Sequence, residues 1–442
     1  MSMPKLATMR LYVLAVSVLL SMAVQECAAQ RSSGDHSPLV APLAKDPATS
    51  LYTISIKDGG APLVIDLAGP LVWSTCPPAH QTFPCGSREC AAANGVSSPL
   101  GCDNADDGTD GGRHDNRRPY CSCTAHPCRP TTSGRPCATG DLTTFAMSAN
   151  ATDGRSTLYP VSFTAVGACA PDRLLRSLPA GAAGVAGFGR AALSLPSQLA
   201  ARRGFGRRFA VCLPGVVVFG STPIYLKYYP VELTATIAFT PLAKNPRRGG
   251  YYLPVKDISV VWDGVTTPAS LPPRALEIDA WTGRGGVTLS TVQRYTTMRA
   301  DVYRPFIRAF NASIGKPGYV KSVAAVAPFE LCYDTYSLRR LKRTGWNVPT
   351  IHLELGAGAS MNWMVNNGNS MVQMGDRTVC LAFVEMGPEA GYGTPAPAVV
   401  IGTYQLEDNL LVFDEDKEVL HFSGLLWGSG ATCSGFNFTL AS

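Results

Sequence analysis

Charge is scarce in this chain: 16% of its 442 residues are Asp, Glu, Lys or Arg, against 46% hydrophobic residues. That balance excludes an intrinsically disordered protein, which needs low hydrophobicity and high charge. Histidines number only six, and no two of them form the His-Glu-x-x-His pattern, so the helical zinc-hydrolase arrangement is excluded. A Gly-x-Ser-x-Gly elbow is also absent, which removes the serine hydrolases built on it. After the N-terminal leader no second apolar run is long enough to cross a bilayer. No short-period repeat is visible.

What the chain does have is glycine and proline, 43 and 34 of them, the composition of a turn-rich globular protein in which β structure outweighs helix. Its length exceeds what one ordinary core supports, so two domains are expected. Residues 1–29 read as a secretory signal: Lys5 and Arg10 precede "LYVLAVSVLLSMAV", and "ECAAQ" offers small residues for cleavage near Ala29. That apolar run is shorter than the ~20 residues of a membrane span. No long pro-segment is expected between residue 30 and "SPLVAPLAKD". The mature chain is therefore expected to be exported, with no membrane anchor. Its formal charge, +6 before the leader is removed, is dispersed positive charge that assists encounter with an acidic partner without implying nucleic acid.

Export puts the cysteines in an oxidising compartment. Loss of Cys27 leaves an odd number of disulfide candidates: Cys76, Cys85, Cys90, Cys102, Cys121, Cys123, Cys128, Cys137, Cys169, Cys212, Cys332, Cys380 and Cys433. The unpaired thiol is expected in the crowded "CSCTAHPC" stretch, at Cys121, Cys123 or Cys128. Sequons at Asn150, Asn311 and Asn437 fit glycosylated surface loops of an exported chain.

Along the chain, "LYTISI" and "APLVID" are strand-like runs split by the hairpin signal "KDGG". The segment from Cys76 to Cys137 has no periodicity and reads as a disulfide-laced surface excursion. "RLLRSLPAGAAGVAGFGRAALSLPSQLAARRG" reads as two short helical pieces around a glycine-rich turn. In "RADVYRPFIRAFNASI" the residues Val302, Phe306, Ile307 and Phe310 share one face of an amphipathic helix. Each half runs strand, tight turn and following segment, which predicts two related β lobes, residues 30–235 (disulfide-rich) and 236–442.

The tight turns carry the chemistry. In "LVIDLAGPLVW" an apolar run delivers Asp66 into a turn, as an acid protease presents a catalytic carboxylate. Such a protease needs two carboxylates sharing a proton, each from an Asp-Thr/Ser-Gly turn. Leu67 and Ala68 replace the hydroxyl and the glycine, and the matching turn "GGVTLST" delivers Ser290. Serine cannot ionise near pH 4, so the sequence predicts a degenerate dyad with no catalytic residue. Other motifs fail on similar grounds. "GFGRAA" follows "AGAAGVA", which does not read as the strand of a dinucleotide-binding unit. "DNADDGTDGGRH" lacks carboxylates where a calcium loop requires them. Neither metal nor cofactor is expected.

Several segments, among them "APLAKDPATSLYTI", "VIDLAGPLVWSTC", "GVAGFGRAALSLPSQLA", "APFELCYDTYSL", "VCLAFVEM" and "VIGTYQLEDNLLVFD", resemble the cereal xylanase inhibitors of the wheat (TAXI) type, relatives of pepsin-like plant aspartic proteases. The resemblance spans roughly residues 38 to 442 and includes the degenerate Asp66 turn. It implies a mainly β, bilobal pepsin-like aspartic protease fold of two β-barrel-like domains, no proteolysis, secretion into the plant cell wall space, and a defence role. It also implies a monomer that plugs the cleft of a microbial secreted glycosidase, a family 11 endoxylanase foremost. Family inhibitors place a histidine near the C-terminus between the enzyme's two catalytic carboxylates; here Trp427 or its neighbour stands at that position, and His421 lies on the preceding strand with a structural role. A second family contact falls in "YSLRRLKRTGWNVPT". The expected partner-binding residues are therefore Arg340, Lys342, Arg343, Trp346, Leu426 and Trp427, with an inhibitor of another endoglucanase class or a non-inhibitory defence protein as the alternatives, and an aspartic protease with an atypical active site, needing a second carboxylate near Ser290, behind them.

Overall fold

The computed structural model describes residues 36–94, 122–130, 136–154, 156–226, 229–235, 237–315, 318–387 and 396–438. The expected leader and the acidic 103–114 segment lie outside them. The elements are overwhelmingly strands, gathered mainly into a 13-stranded and a 6-stranded sheet.

The two expected lobes are visible as one four-strand pattern used twice. In the first half, Leu63–Asp66 runs parallel to Gly184–Gly187. Val72–Ser74 lies antiparallel to the far side of Gly184–Gly187 and parallel to Tyr159–Cys169. In the second half, Val287–Leu289 runs parallel to Val399–Ile401. Thr296–Met298 is antiparallel to Val399–Ile401 and parallel to Phe383–Glu385. The paired central strands Leu63–Asp66, Val72–Ser74, Gly184–Gly187, Val287–Leu289 and Val399–Ile401 are buried throughout, as parallel pairing favours, while Tyr159–Cys169 and Phe383–Glu385 are exposed or half-buried over part of their length. Asp66 ends the first strand of one copy, and Ser290 follows the first strand of the other.

The glycine-rich run proves to be a strand rather than a turn. A Cβ at Gly184 would sit 2.0 Å from the Trp73 carbonyl oxygen, and one at Gly187 would sit 2.4 Å from that of Leu71. Glycine is there because strands approach closely, not because the backbone bends. The helix expected around residue 306 forms over Ala300–Gly315; Val302, Phe306 and Phe310 are fully buried and Ile307 partly so.

The halves are joined by more than the connection near residue 235. Asn409–Asp414 pairs with Arg208–Cys212, so the 13-stranded sheet runs through both. Over this joint Phe209 stacks on Phe413 at 4.7 Å, and the Tyr251 hydroxyl oxygen lies 2.8 Å from the Phe188 carbonyl oxygen. Glu415, nearly inaccessible, accepts from Tyr251 and pairs with Arg207. One apolar core contains side chains of both halves.

Candidate functional site

Asp66 is 3% exposed, and its Oδ1 accepts the Ala68 amide at 2.9 Å. Ser290 is 7% exposed, and its Oγ accepts the Val292 amide at 3.2 Å. Each side chain thus closes the same local turn two residues ahead, which marks the two positions as structural equivalents. Thr291, next to Ser290, brings the turns together. Its hydroxyl donates to the Ile65 carbonyl at 2.7 Å and accepts the Leu67 amide at 3.1 Å, clasping the residues on either side of Asp66. Leu67, buried at 1% exposure, has no hydroxyl to reciprocate, so the clasp is one-sided. Of the two side chains that close these turns, Asp66 is a carboxylate and Ser290 a hydroxyl. Sequence reasoning passed over Thr291; the signal was the Ser-Thr dipeptide standing where Asp and a hydroxyl residue would be expected.

On the outside of the second half, Arg340–Leu341 and Gly345–Trp346 form a two-stranded hairpin. Arg339, Arg340, Lys342 and Arg343 are exposed, and the Arg340 guanidinium lies 5.6 Å from the centre of the Trp346 ring. This hairpin is continuous with the C-terminal tail. A Cβ at Gly345 would lie 3.2 Å from Gly368, and a Cβ at Gly368 would lie 3.0 Å from the Trp427 ring. Two glycines therefore let the basic hairpin, the short helix Asn367–Ser370 and Trp427 pack as one surface.

Trp427 is 37% exposed and fixed at one edge: its Nε1 donates to Asp408 Oδ2 at 2.7 Å. The other oxygen of Asp408 accepts the Cys433 amide at 2.9 Å, and the Asp408 carbonyl accepts the Leu426 amide at 2.8 Å. Burial pushes the Asp408 carboxyl above its usual range, although the Cys433 amide and the Trp427 indole pull the other way. Leu426 corrects the sequence expectation. It is 4% exposed, in an apolar cluster with Val412 and Cys433, so it anchors the tail from inside and has no face for a partner. His421 sits between Phe239 and Val412 in the sheet, half-buried, with burial first and Arg208 second lowering its pKa.

Five disulfides join described cysteines: Cys76–Cys169, Cys90–Cys123, Cys128–Cys137, Cys212–Cys433 and Cys332–Cys380. Cys123 and Cys128 are thus paired, which corrects the expectation for two of the three candidates for the odd thiol. Cys85 is also disulfide-bonded, and Cys102 and Cys121 lie outside the described residues. Cys76, His80 and Cys169 cluster at ligand distance, but both sulfurs are consumed in one disulfide. Of the sequon asparagines, Asn150 and Asn311 are exposed and Asn437 partly so. Among the described residues no helix is long and apolar enough to cross a membrane.

Residues 52–221 match the xylanase inhibitor N-terminal family, and residues 250–424 match the xylanase inhibitor C-terminal family. The chain belongs to the xylanase inhibitor family. It is 45% identical over 417 residues to Chitinase CLP of Oryza sativa subsp. japonica, with 92% of each chain covered. It is 31% identical to the probable aspartic proteinase GIP2 of Nicotiana benthamiana, covering 91% of this chain and 92% of that one. Among solved structures, edgp superposes with a TM-score of 0.77 at 30% identity over 91% of this chain and 98% of its own. Soybean basic 7S globulin superposes with a TM-score of 0.68 at 26% identity over 91% and 100%. The bilobal, mainly β pepsin-like fold of the family is therefore the fold of this chain, and its disulfides fit the oxidising compartments in which such bonds persist.

Proposed function

We propose that this chain is a secreted, catalytically silent protein that inhibits a microbial cell-wall glycosidase by occupying its active-site cleft, with family 11 endo-1,4-β-xylanases as the first candidates. The observation that carries this reading is the continuity of the basic hairpin, bearing Arg340, Lys342, Arg343 and Trp346, with the anchored Trp427. A retaining glycosidase holds two carboxylates about 5 Å apart in a cleft shaped for sugar rings. Permanent cations steer such a face to an acidic cleft, and indoles fill space where sugars stack. Silence follows from the dyad, since Ser290 supplies no second carboxylate. Residues 30–235 and 236–442 serve as the two lobes, and the exposed Asn150 and Asn311 are sites of glycan attachment.

Because guanidinium groups stay charged at every relevant pH, inhibition through this face holds steady from pH 5 to 7, where a histidine plug would weaken. Titrating the mature protein against a fungal family 11 endoxylanase near pH 5 tests the reading: residual xylan hydrolysis should fall to a stoichiometric end point. No inhibition at micromolar concentration would remove this target class. The name of the rice relative favours a second reading, hydrolysis of chitin by the chain itself. Release of soluble oligosaccharides from chitin by the wild-type protein would support that reading against the first.

A further inference from the structure

Trp281 is 80% exposed, more than twice the exposure of Trp427 at 37%. Its exposure is built in rather than incidental. Oδ1 of Asp279 accepts the amides of Trp281 at 3.1 Å and Thr282 at 2.7 Å, together with the Thr282 hydroxyl at 2.7 Å. These bonds hold the Asp279 carboxyl below its usual range, Thr282 contributing most, so its charge is committed to the turn. Asp279 and Arg284 bond through their backbones, and Gly283 returns its amide to the Asp279 carbonyl. A neighbouring hairpin braces the turn from outside. Arg247 Nε donates to the Trp281 carbonyl at 3.1 Å, and Asn245 Nδ2 donates to that of Gly283 at 2.8 Å. Gly283, at φ 71°, has Arg247 and Asn245 within 2.7 Å of where a Cβ would stand, so two elements close on it.

We propose that this braced turn is a carbohydrate-binding platform: the Trp281 indole stacks on a pyranose ring, and the Arg247 guanidinium pairs with a uronate carboxylate of an acidic polysaccharide. The surroundings favour a glycan over a protein surface. Residues 279 to 284 read Asp-Ala-Trp-Thr-Gly-Arg, so the indole is the one large apolar side chain of an otherwise polar turn, unlike the apolar centre of a protein interface. Arg247 spends one of its five donors on the turn and is exposed. The acid of the preceding segment, Glu277, is paired with Arg274. With Glu277 paired and the Asp279 carboxylate turned to the turn's own donors, the Arg247 guanidinium is the charge offered to an anionic sugar. This assignment is independent of the glycosidase-binding face, which uses other residues, and would fix the protein to the wall matrix itself.

Affinity electrophoresis of the full-length mature protein in gels containing polygalacturonate, with neutral arabinoxylan gels as the comparison, tests it. Retardation by polygalacturonate is expected for the wild type, with at least a five-fold weaker apparent affinity for Trp281→Ala and for Arg247→Ala. Trp281→Phe should retain most of the retardation, because the ring still stacks. Endoxylanase inhibition, whether present or absent in the wild type, should be unchanged in all three variants. Equal retardation of wild type and Trp281→Ala, or equal retardation in neutral gels, would overturn the proposal. A loss of endoxylanase inhibition in Trp281→Ala with unaltered retardation would overturn it in favour of a protein contact.

Discussion

Replacing Thr291 by valine keeps the shape of a fully buried side chain and deletes its hydroxyl. Two interactions disappear: the 3.1 Å bond that satisfies the Leu67 amide and the 2.7 Å bond to the Ile65 carbonyl. Leu67 is 1% exposed, so water cannot replace the lost acceptor, and an orphaned buried donor costs about 1–3 kcal/mol. Loss of the second bond adds about 0.5–1.5 kcal/mol. Thr291→Val should therefore lower the unfolding free energy by about 1.5–4.5 kcal/mol in urea titrations followed by tryptophan fluorescence. Thr291→Ser, which keeps both bonds and loses one methyl, should cost about 1 kcal/mol. The contrast isolates the clasp between the two turns. Equal effects of the two substitutions would refute the claim that Thr291 joins the lobes through its hydroxyl.

Three further outcomes follow from the same contacts. Cys433→Ala removes a bond closing a sequence separation of 221 residues and frees the tail beyond Trp427, so a stability loss of about 2–5 kcal/mol is expected in denaturant titration. His421 has a folded pKa below its unfolded value of 6.5, so the unfolded state takes up more protons and stability falls as pH drops through about 6.5; melting curves of His421→Gln at pH 7.5 and pH 5 should show a smaller difference than wild type, the remainder including His352, which burial shifts in the same direction. Ser290→Asp places a second carboxylate opposite Asp66 but leaves Leu67 and Ala68 in place, so an acid casein assay should show no pepstatin-sensitive cleavage; its appearance would contradict the assigned roles of the missing hydroxyl and glycine.

Much of this architecture was legible because it rests on local pattern. The burial of Val302, Phe306 and Phe310 follows from helical spacing, and the Asp66 turn follows from an apolar run ending in one acid. The strand Gly184–Gly187 was misread because glycine signals both turns and close strand contacts, and only the neighbours at Trp73 and Leu71 distinguish them. Leu426 was placed on the wrong side because exposure of a short tail helix depends on which way the preceding strand delivers it. Thr291 and Asp408 escaped notice for a related reason. The clasp spans 224 and 226 residues of sequence, and the Asp408 carboxylate reaches tail groups 19 and 25 residues away across a turn. Such partners exist only once the sheets have formed.

The joined hairpin and Trp427 are proposed as the face that meets an acidic glycosidase cleft. Calorimetric titration of a family 11 endoxylanase with wild type, with Trp427→Ala and with Arg340→Glu/Lys342→Glu/Arg343→Glu tests it directly. One-to-one binding by wild type, at least ten-fold weaker binding by Trp427→Ala, and loss of binding on charge reversal are expected. Wild-type binding that survives both changes undiminished would contradict it.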